Sequence, residues 1–272
     1  MKLAICNDLF QGWPEEKIFR YVAELGYQGI EIAPFMYGKN VNEITEEIRA
    51  QIRQTASRYQ LEIVGLHWVF LGQENISLTH PEPAVRTRTR DYLIALIKFC
   101  ADIGGRVIVV GSPKQRNLKP EVSLAQGYQY AAQVFQESMD YAARRGVTVC
   151  IEPLGRDETN FITNMTEALT LVKMIAHPNF KTMFDVKAAL TENRPLTEII
   201  NEGAAYIDHV HLNDRNGIAP GFGETDFTQI FTALQKIGYQ RYLSVEVIKQ
   251  QAGMEETATK SYNFLRPMLA GL

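Results

Sequence analysis

Cysteine is scarce in this chain, with three residues, Cys6, Cys100 and Cys150, in 272. They form no disulfide framework and no CxxC or CxxH metal spacing, which excludes a disulfide-stapled scaffold and a zinc-finger class and leads us to expect a reducing, cytoplasmic setting. Long hydrophobic runs are also missing. No stretch approaches the roughly 18 apolar residues of a membrane span, and the opening MKLAICNDLF lacks the apolar h-region of a signal peptide, so no membrane partner is expected. Positive charge is not in excess either: 28 Lys+Arg stand against 31 Asp+Glu, a net charge of -3. That balance offers no basic footprint for nucleic acid and leaves a small molecule as the expected partner, with a homo-oligomer left open. The phosphate-cradling GxGxxG and GxxxxGK[ST] patterns are absent, which disfavours a doubly wound nucleotide-binding sheet.

What the chain does have is an alternation. Eight short apolar runs rich in β-branched residues fall at 3–7, 29–33, 61–67, 106–111, 147–152, 181–185, 206–213 and 242–247, and they read as strands. Between them run stripes of helical spacing: Ile18, Tyr21, Val22 and Leu25; Leu93, Leu96, Ile97 and Cys100; Ala168, Leu171, Val172 and Ile175; Ile230, Ala233, Leu234 and Ile237. Glycines at 26, 104, 105, 146 and 238 punctuate the helix-to-strand turns. Eight strand-then-helix units in a chain of this length predict a single (β/α)8 TIM barrel forming one domain over residues 1–272, since such barrels take about 250 residues.

Side chains alternate across a strand, so placing Val149, Ile151, Phe184, Val210, Leu212, Leu243 and Val245 against the helices sends their neighbours into the barrel. Those neighbours include Glu152, Asp185, His209, His211 and Glu246; the same parity puts Glu31 and His67 inside. Glu152, Asp185, His211 and Glu246 fall at the C-terminal ends of the last four strands, where barrel active sites are built. Three carboxylates crowded there repel one another unless a cation neutralises them. The expectation is one divalent metal ion held by Glu152, Asp185, His211 and Glu246, and the oxygen-rich donor set favours Mn²⁺, with Mg²⁺ or Co²⁺ as alternatives.

The segments IEPLGRDETN (151–160), FDVKAAL (184–190), HVHLNDRNGIAPGFGETDF (209–227) and LSVEV (243–247), in that order, resemble the xylose-isomerase-like barrel superfamily, and within it the ketose 3-epimerases of the tagatose and psicose type. GYQGIEIAPF and VGLHW extend the resemblance over essentially the whole chain. It implies a sugar isomerase or epimerase in which Glu152, Asp185, His211 and Glu246 bind one metal, Glu152 and Glu246 double as the acid/base pair, and Glu158 touches the sugar near its reacting end. Two departures stand out. Ala188 replaces the family's histidine three residues after the metal-binding Asp, and the arginine beyond the metal-binding His sits displaced at Arg215.

Epimerisation beside a carbonyl removes a weakly acidic C–H proton, which needs a Lewis acid to stabilise the enediolate and two carboxylates on opposite faces of the sugar. His67 and Trp68 are candidates for a substrate hydroxyl and an apolar wall; Glu31 and Asn7 invite the same role. His209, deeper on the face of His211, is expected to support rather than to ligate. His80 and His177 precede prolines in loops and receive no chemistry. The GFG at 221–223 is expected to shape a loop, with Thr225 or Asp226 capping the next helix. Runner-up readings are a keto-glycoside lyase or epimerase with the same metal, an abasic-site endonuclease, which the small number of histidines and the charge disfavour, and a non-catalytic sugar-binding protein.

Overall fold

A computed structural model describes residues 1–271. Eight parallel strands, β1 (Lys2–Cys6), β2 (Gly29–Ile32), β3 (Glu62–Leu66), β4 (Val107–Val110), β5 (Thr148–Ile151), β6 (Phe180–Asp185), β7 (Ile207–Leu212) and β8 (Tyr242–Val245), close in sequential order into a barrel. The ring shuts by pairing of β1 with β8, Leu3 opposite Leu243 and Ile5 opposite Val245. Around it lie α1 (Glu15–Leu25), α2 (Glu46–Arg58), α3 (Pro83–Ile103), α4 (Leu124–Arg145), α5 (Met165–Ile175), α6 (Val186–Leu190), α7 (Leu196–Glu202), α8 (Phe227–Lys236) and α9 (Met254–Ala270). The expected (β/α)8 barrel is what the chain forms. None of the described helices is long and apolar enough to cross a membrane.

Two apolar layers hold it together. The larger lies between strands and helices and contains Val149, Ile151, Phe184, Val210, Leu212, Leu243 and Val245, the residues that alternation sends outward. A smaller cluster of Val107, Val109, Cys150 and Met183 fills the barrel interior. The strands keep the two-residue period except where an extra residue interrupts it, between Ile63 and Leu66 in β3 and between Ile207 and His209 in β7, and what sits inward at their ends is not forced there by the core.

The four stripes read from spacing become α1, α3, α5 and α8. The remaining helices are less legible. The buried face of α2 is Arg49, Ile52, Thr55 and Ala56, too polar to show an apolar period, and its arginine is buried only because Nε donates to the Ile44 carbonyl at 2.9 Å and Nη1 to Asp102 at 2.8 Å. Two short helices, α6 and α7, occupy the single β6-to-β7 connection. Asp226 caps α8, accepting from the Thr228 N–H at 3.0 Å, whereas Thr225 bonds Asp214. At Gly26 and Gly104, φ values of 100° and 94° end α1 and α3 in the left-handed region where glycine has no Cβ penalty.

Candidate active site

Because β5, β6, β7 and β8 are neighbours in the ring, their ends deliver Glu152, Asp185, His211 and Glu246 to one place. All four are buried, and one donor atom from each lies within 4.8 Å of the others. Glu152 and Glu246 sit one residue beyond their strands, yet their N–H groups continue the ladder to Val110 and Leu212 at 3.2 and 3.1 Å, which aims both side chains inward. Asp185 caps α6 through its Oδ1, which accepts from the Ala188 N–H at 2.7 Å. Its Oδ2 accepts from Asn213 Nδ2, also at 2.7 Å, and the same amide group lies 3.2 Å from Glu246 Oε2.

The imidazole of His211 is oriented from behind. Its Nε2 faces Glu31 Oε1 at 3.3 Å, and the other oxygen of Glu31 meets His209 Nε2 at 2.8 Å. That leaves His211 Nδ1 aimed between Glu152, at 3.7 Å, and Glu246, at 3.5 Å, with no hydrogen-bond partner. Glu31 is thus placed behind His211 and fully buried, and Asn7 uses its Oδ1 to accept from the Ala33 N–H. Neither lines the cavity onto which the four candidate ligands open, and their inward parity alone did not distinguish depth in the barrel.

Electrostatics show the crowding directly. Asp185 is pushed up to about 7 by burial and by the charges of Glu152 and Glu246. Burial disfavours a charged His211, but Glu246 and Glu31 outweigh it and hold the imidazole well above its usual range. Burial likewise opposes ionisation of Glu246, and His211 and His67 keep it well below the usual carboxylate range. Three carboxylates and one imidazole nitrogen without a partner, converging on one point, fit a divalent cation, which would relieve the repulsion and take up the free Nδ1.

His67 lies beside this cluster, with Nδ1 3.5 Å from Glu246 Oε1 and Nε2 3.3 Å from Asp8 Oδ1. Burial works against its imidazolium, but Asp8 and Glu246 prevail and push it up to about 10. His67, Trp68 and Glu158 all line the same cavity as the four candidate ligands, together with Ser112, Lys187 and Ile248. Glu158 accepts from the Gly155 N–H at 3.3 Å and pairs with Lys187 Nζ at 2.6 Å. Arg215 is not brought here. It is exposed and lines a separate cavity with Leu190, Leu196 and Gln229, in a turn where Asn216 and Gly217 take φ values of 64° and 72° and the Gly217 carbonyl accepts from the N–H groups of Ile248 and Lys249. The 221–223 segment shapes that loop, Gly223 lying so close to Asp214 that an added Cβ would fall 2.3 Å from its carboxyl carbon.

Asn213, Asp8 and Lys187 are parts of this constellation that the candidate ligands and wall residues did not include. Asn213 had a signal: it lies two residues beyond His211, on the same inward parity. Lys187 follows the strand-end Asp185 and its backbone N–H donates to Asn213 Oδ1 at 2.8 Å.

A model of the Xylose isomerase-like TIM barrel family matches residues 19–268. Among curated proteins, the chain is 23% identical over 265 residues to fructoselysine 3-epimerase of Shigella flexneri, covering 91% of this chain and 90% of that one. It is 24% identical over 255 residues to 3-dehydro-D-guloside 4-epimerase of Escherichia coli (strain K12), covering 90% and 92%. Among solved structures, that of D-psicose 3-epimerase in the presence of D-fructose superposes with a TM-score of 0.86 at 21% identity, over 100% of both chains.

Proposed function

Since this chain belongs to the xylose isomerase-like TIM barrel family, we propose that it is a divalent-metal-dependent sugar epimerase or isomerase that moves a proton on a carbon next to a carbonyl. The observation that carries the reading is the convergence of Glu152, Asp185, His211 and Glu246 around the partnerless Nδ1 of His211. Those four residues would hold the ion, Mn²⁺ by preference with Mg²⁺ or Co²⁺ as alternatives, and when bound it supplies Lewis-acid polarisation of the substrate carbonyl.

The rest belongs to the chain. Glu152 and Glu246 come from different strands and flank His211 from two sides, the arrangement needed for one carboxylate to remove a proton from one face of the sugar while the other returns a proton to the opposite face. Asn213 ties Asp185 to Glu246 and keeps their separation constant, which preserves alignment between the acid/base groups and a bound sugar. His67 donates to Glu246 and holds its carboxylate in place. Glu158, braced by Lys187, offers an acceptor to a substrate hydroxyl at the mouth, and Trp68 lines the wall beside it.

The names of the relatives support a sugar epimerase, and the guloside 4-epimerase supports a specific second reading in which the substrate is a keto-glycoside rather than a free ketose. Incubating Mn²⁺-loaded protein with ketoses, aldoses and 3-keto-glycosides in heavy water tests both. Deuterium enters the carbon beside the carbonyl of at least one sugar. Absence of exchange in every sugar sinks the proposal.

A further inference from the structure

Behind Glu152 lies a side chain that neither spacing nor motif singles out. Arg116 has no solvent exposure, and burying a guanidinium is costly unless its donors are satisfied. Its Nη1 donates to the backbone carbonyl of Glu152 at 2.6 Å and its Nη2 to the carbonyl of Val110. These carbonyls lie at the adjoining ends of β4 and β5, so one guanidinium bridges the two strand ends next to the candidate metal site. Burial pushes the guanidinium down to about 10, which the charges of Glu152 and Glu158 oppose without overcoming, and its Nε is buried with no hydrogen-bond partner.

The segment around Arg116 is sewn down on both sides. Thr79 Oγ1 donates to the Arg116 carbonyl at 3.1 Å. Asn117 Oδ1 accepts from Thr159 Oγ1 at 2.8 Å and from the Asn160 N–H at 3.2 Å, and Leu118 and Asn160 exchange two more bonds at 2.7 and 3.0 Å. The turn that carries Arg116 is therefore fastened to the turn that carries Glu158. Space around Glu152 is also restricted from the β4 side, where a Cβ on Gly111 would fall 2.1 Å from Glu152 Oε2. Closure of the barrel does not require the bridge, because Val107 to Val110 already pair with Thr148 to Ile151 along the ladder.

We propose that Arg116 is a positioning residue: by clamping the ends of β4 and β5 it holds the Glu152 carboxylate in register with Asp185, His211 and Glu246. This deepens the epimerase reading and rests on it. Residues that support metal ligands from behind typically change metal affinity or activity about tenfold to a hundredfold when replaced.

The test uses full-length wild type, R116M, R116K and D102N, all stripped of metal, with Mn²⁺ titrated by calorimetry and folding followed by circular dichroism. D102N serves as a control destabilised far from the site. R116M is expected to bind Mn²⁺ about tenfold to a hundredfold more weakly, R116K to fall between R116M and wild type, and D102N to bind as wild type does. On any sugar the wild type turns over, kcat of R116M falls by more than KM rises. Wild-type Mn²⁺ affinity in R116M overturns the assignment, as does an equal loss in D102N, which would trace the effect to general destabilisation. Failure of both R116M and R116K to fold makes the residue structural and overturns it too. If the wild type itself binds no Mn²⁺, the metal-dependent reading falls first, and the Arg116 assignment with it.

Discussion

Glu152 and Glu246 can be separated from the other candidate ligands by what a single atom change should do. Replacing either with Gln keeps an oxygen for a cation but removes the exchangeable proton, so E152Q and E246Q should each lose about 10²-fold to 10⁴-fold in kcat while substrate Kd changes far less. Equal losses in both quantities, measured by turnover and by equilibrium binding, would show that these residues only hold the ion. Asp185 has a second duty as the cap of α6, and Asn caps a helix about as well as Asp. D185N keeps the cap but sets an NH₂ against the Asn213 amide that Oδ2 accepts from, so it should stay folded with a modest loss of melting temperature yet bind Mn²⁺ at least about tenfold more weakly; loss of the fold would assign Asp185 a structural role instead.

Among the elements, α2, α3 and α4 are joined by one carboxylate. Asp102, at the end of α3, pairs with Arg49 of α2 at 2.8 Å, Lys98 one turn earlier at 2.6 Å and Arg145 of α4 at 2.5 Å. Burial alone would raise its pKa, but the hydrogen bonds from Lys98 and Arg49 prevail and hold it below the usual carboxylate range. A carboxylate lowered by folding stabilises above its unfolded value of about 3.9, and that contribution disappears as the pH falls through the folded value. D102N should cost about 1 kcal/mol near neutral pH, in keeping with partly exposed pairs, and the gap to wild type should close below about pH 4. Urea denaturation across pH 3 to 7 measures it, and a gap that stays constant with pH would contradict the assignment.

The whole molecule decides specificity. The family resemblance leads one to expect a histidine at 188 and an arginine near 215 on the sugar, yet Ala188 is buried beneath the Asp185 cap and Arg215 faces another cavity. The mouth offers instead the Lys187–Glu158 pair. A site built for one set of hydroxyls rejects molecules that leave its polar groups unpaired. We expect poor turnover of free fructose, psicose and tagatose and better turnover of a keto-glycoside, read as a kcat/KM ratio above about 10-fold. Efficient conversion of fructose to psicose would show that the substituted contacts are harmless.

By itself the sequence determined the barrel and the four strand-end residues, because alternation along a strand is a local property and eight repeats of it leave few architectures. Tertiary structure alone decided depth and direction. Glu31 shares the inward parity of the site residues but lies opposite Cys6 in the β1–β2 register, deep enough to orient His211 rather than meet a sugar. Arg215 follows the right strand but lies exposed on a turn and lines another cavity. Arg116 sits in a polar turn where arginine is ordinarily solvated, and its partners are carbonyls at the ends of two strands that only become neighbours when the ring forms. Pattern reports which face of an element a residue takes; how far it lies from a given atom depends on the stagger of strands and the path of loops, which no local period encodes.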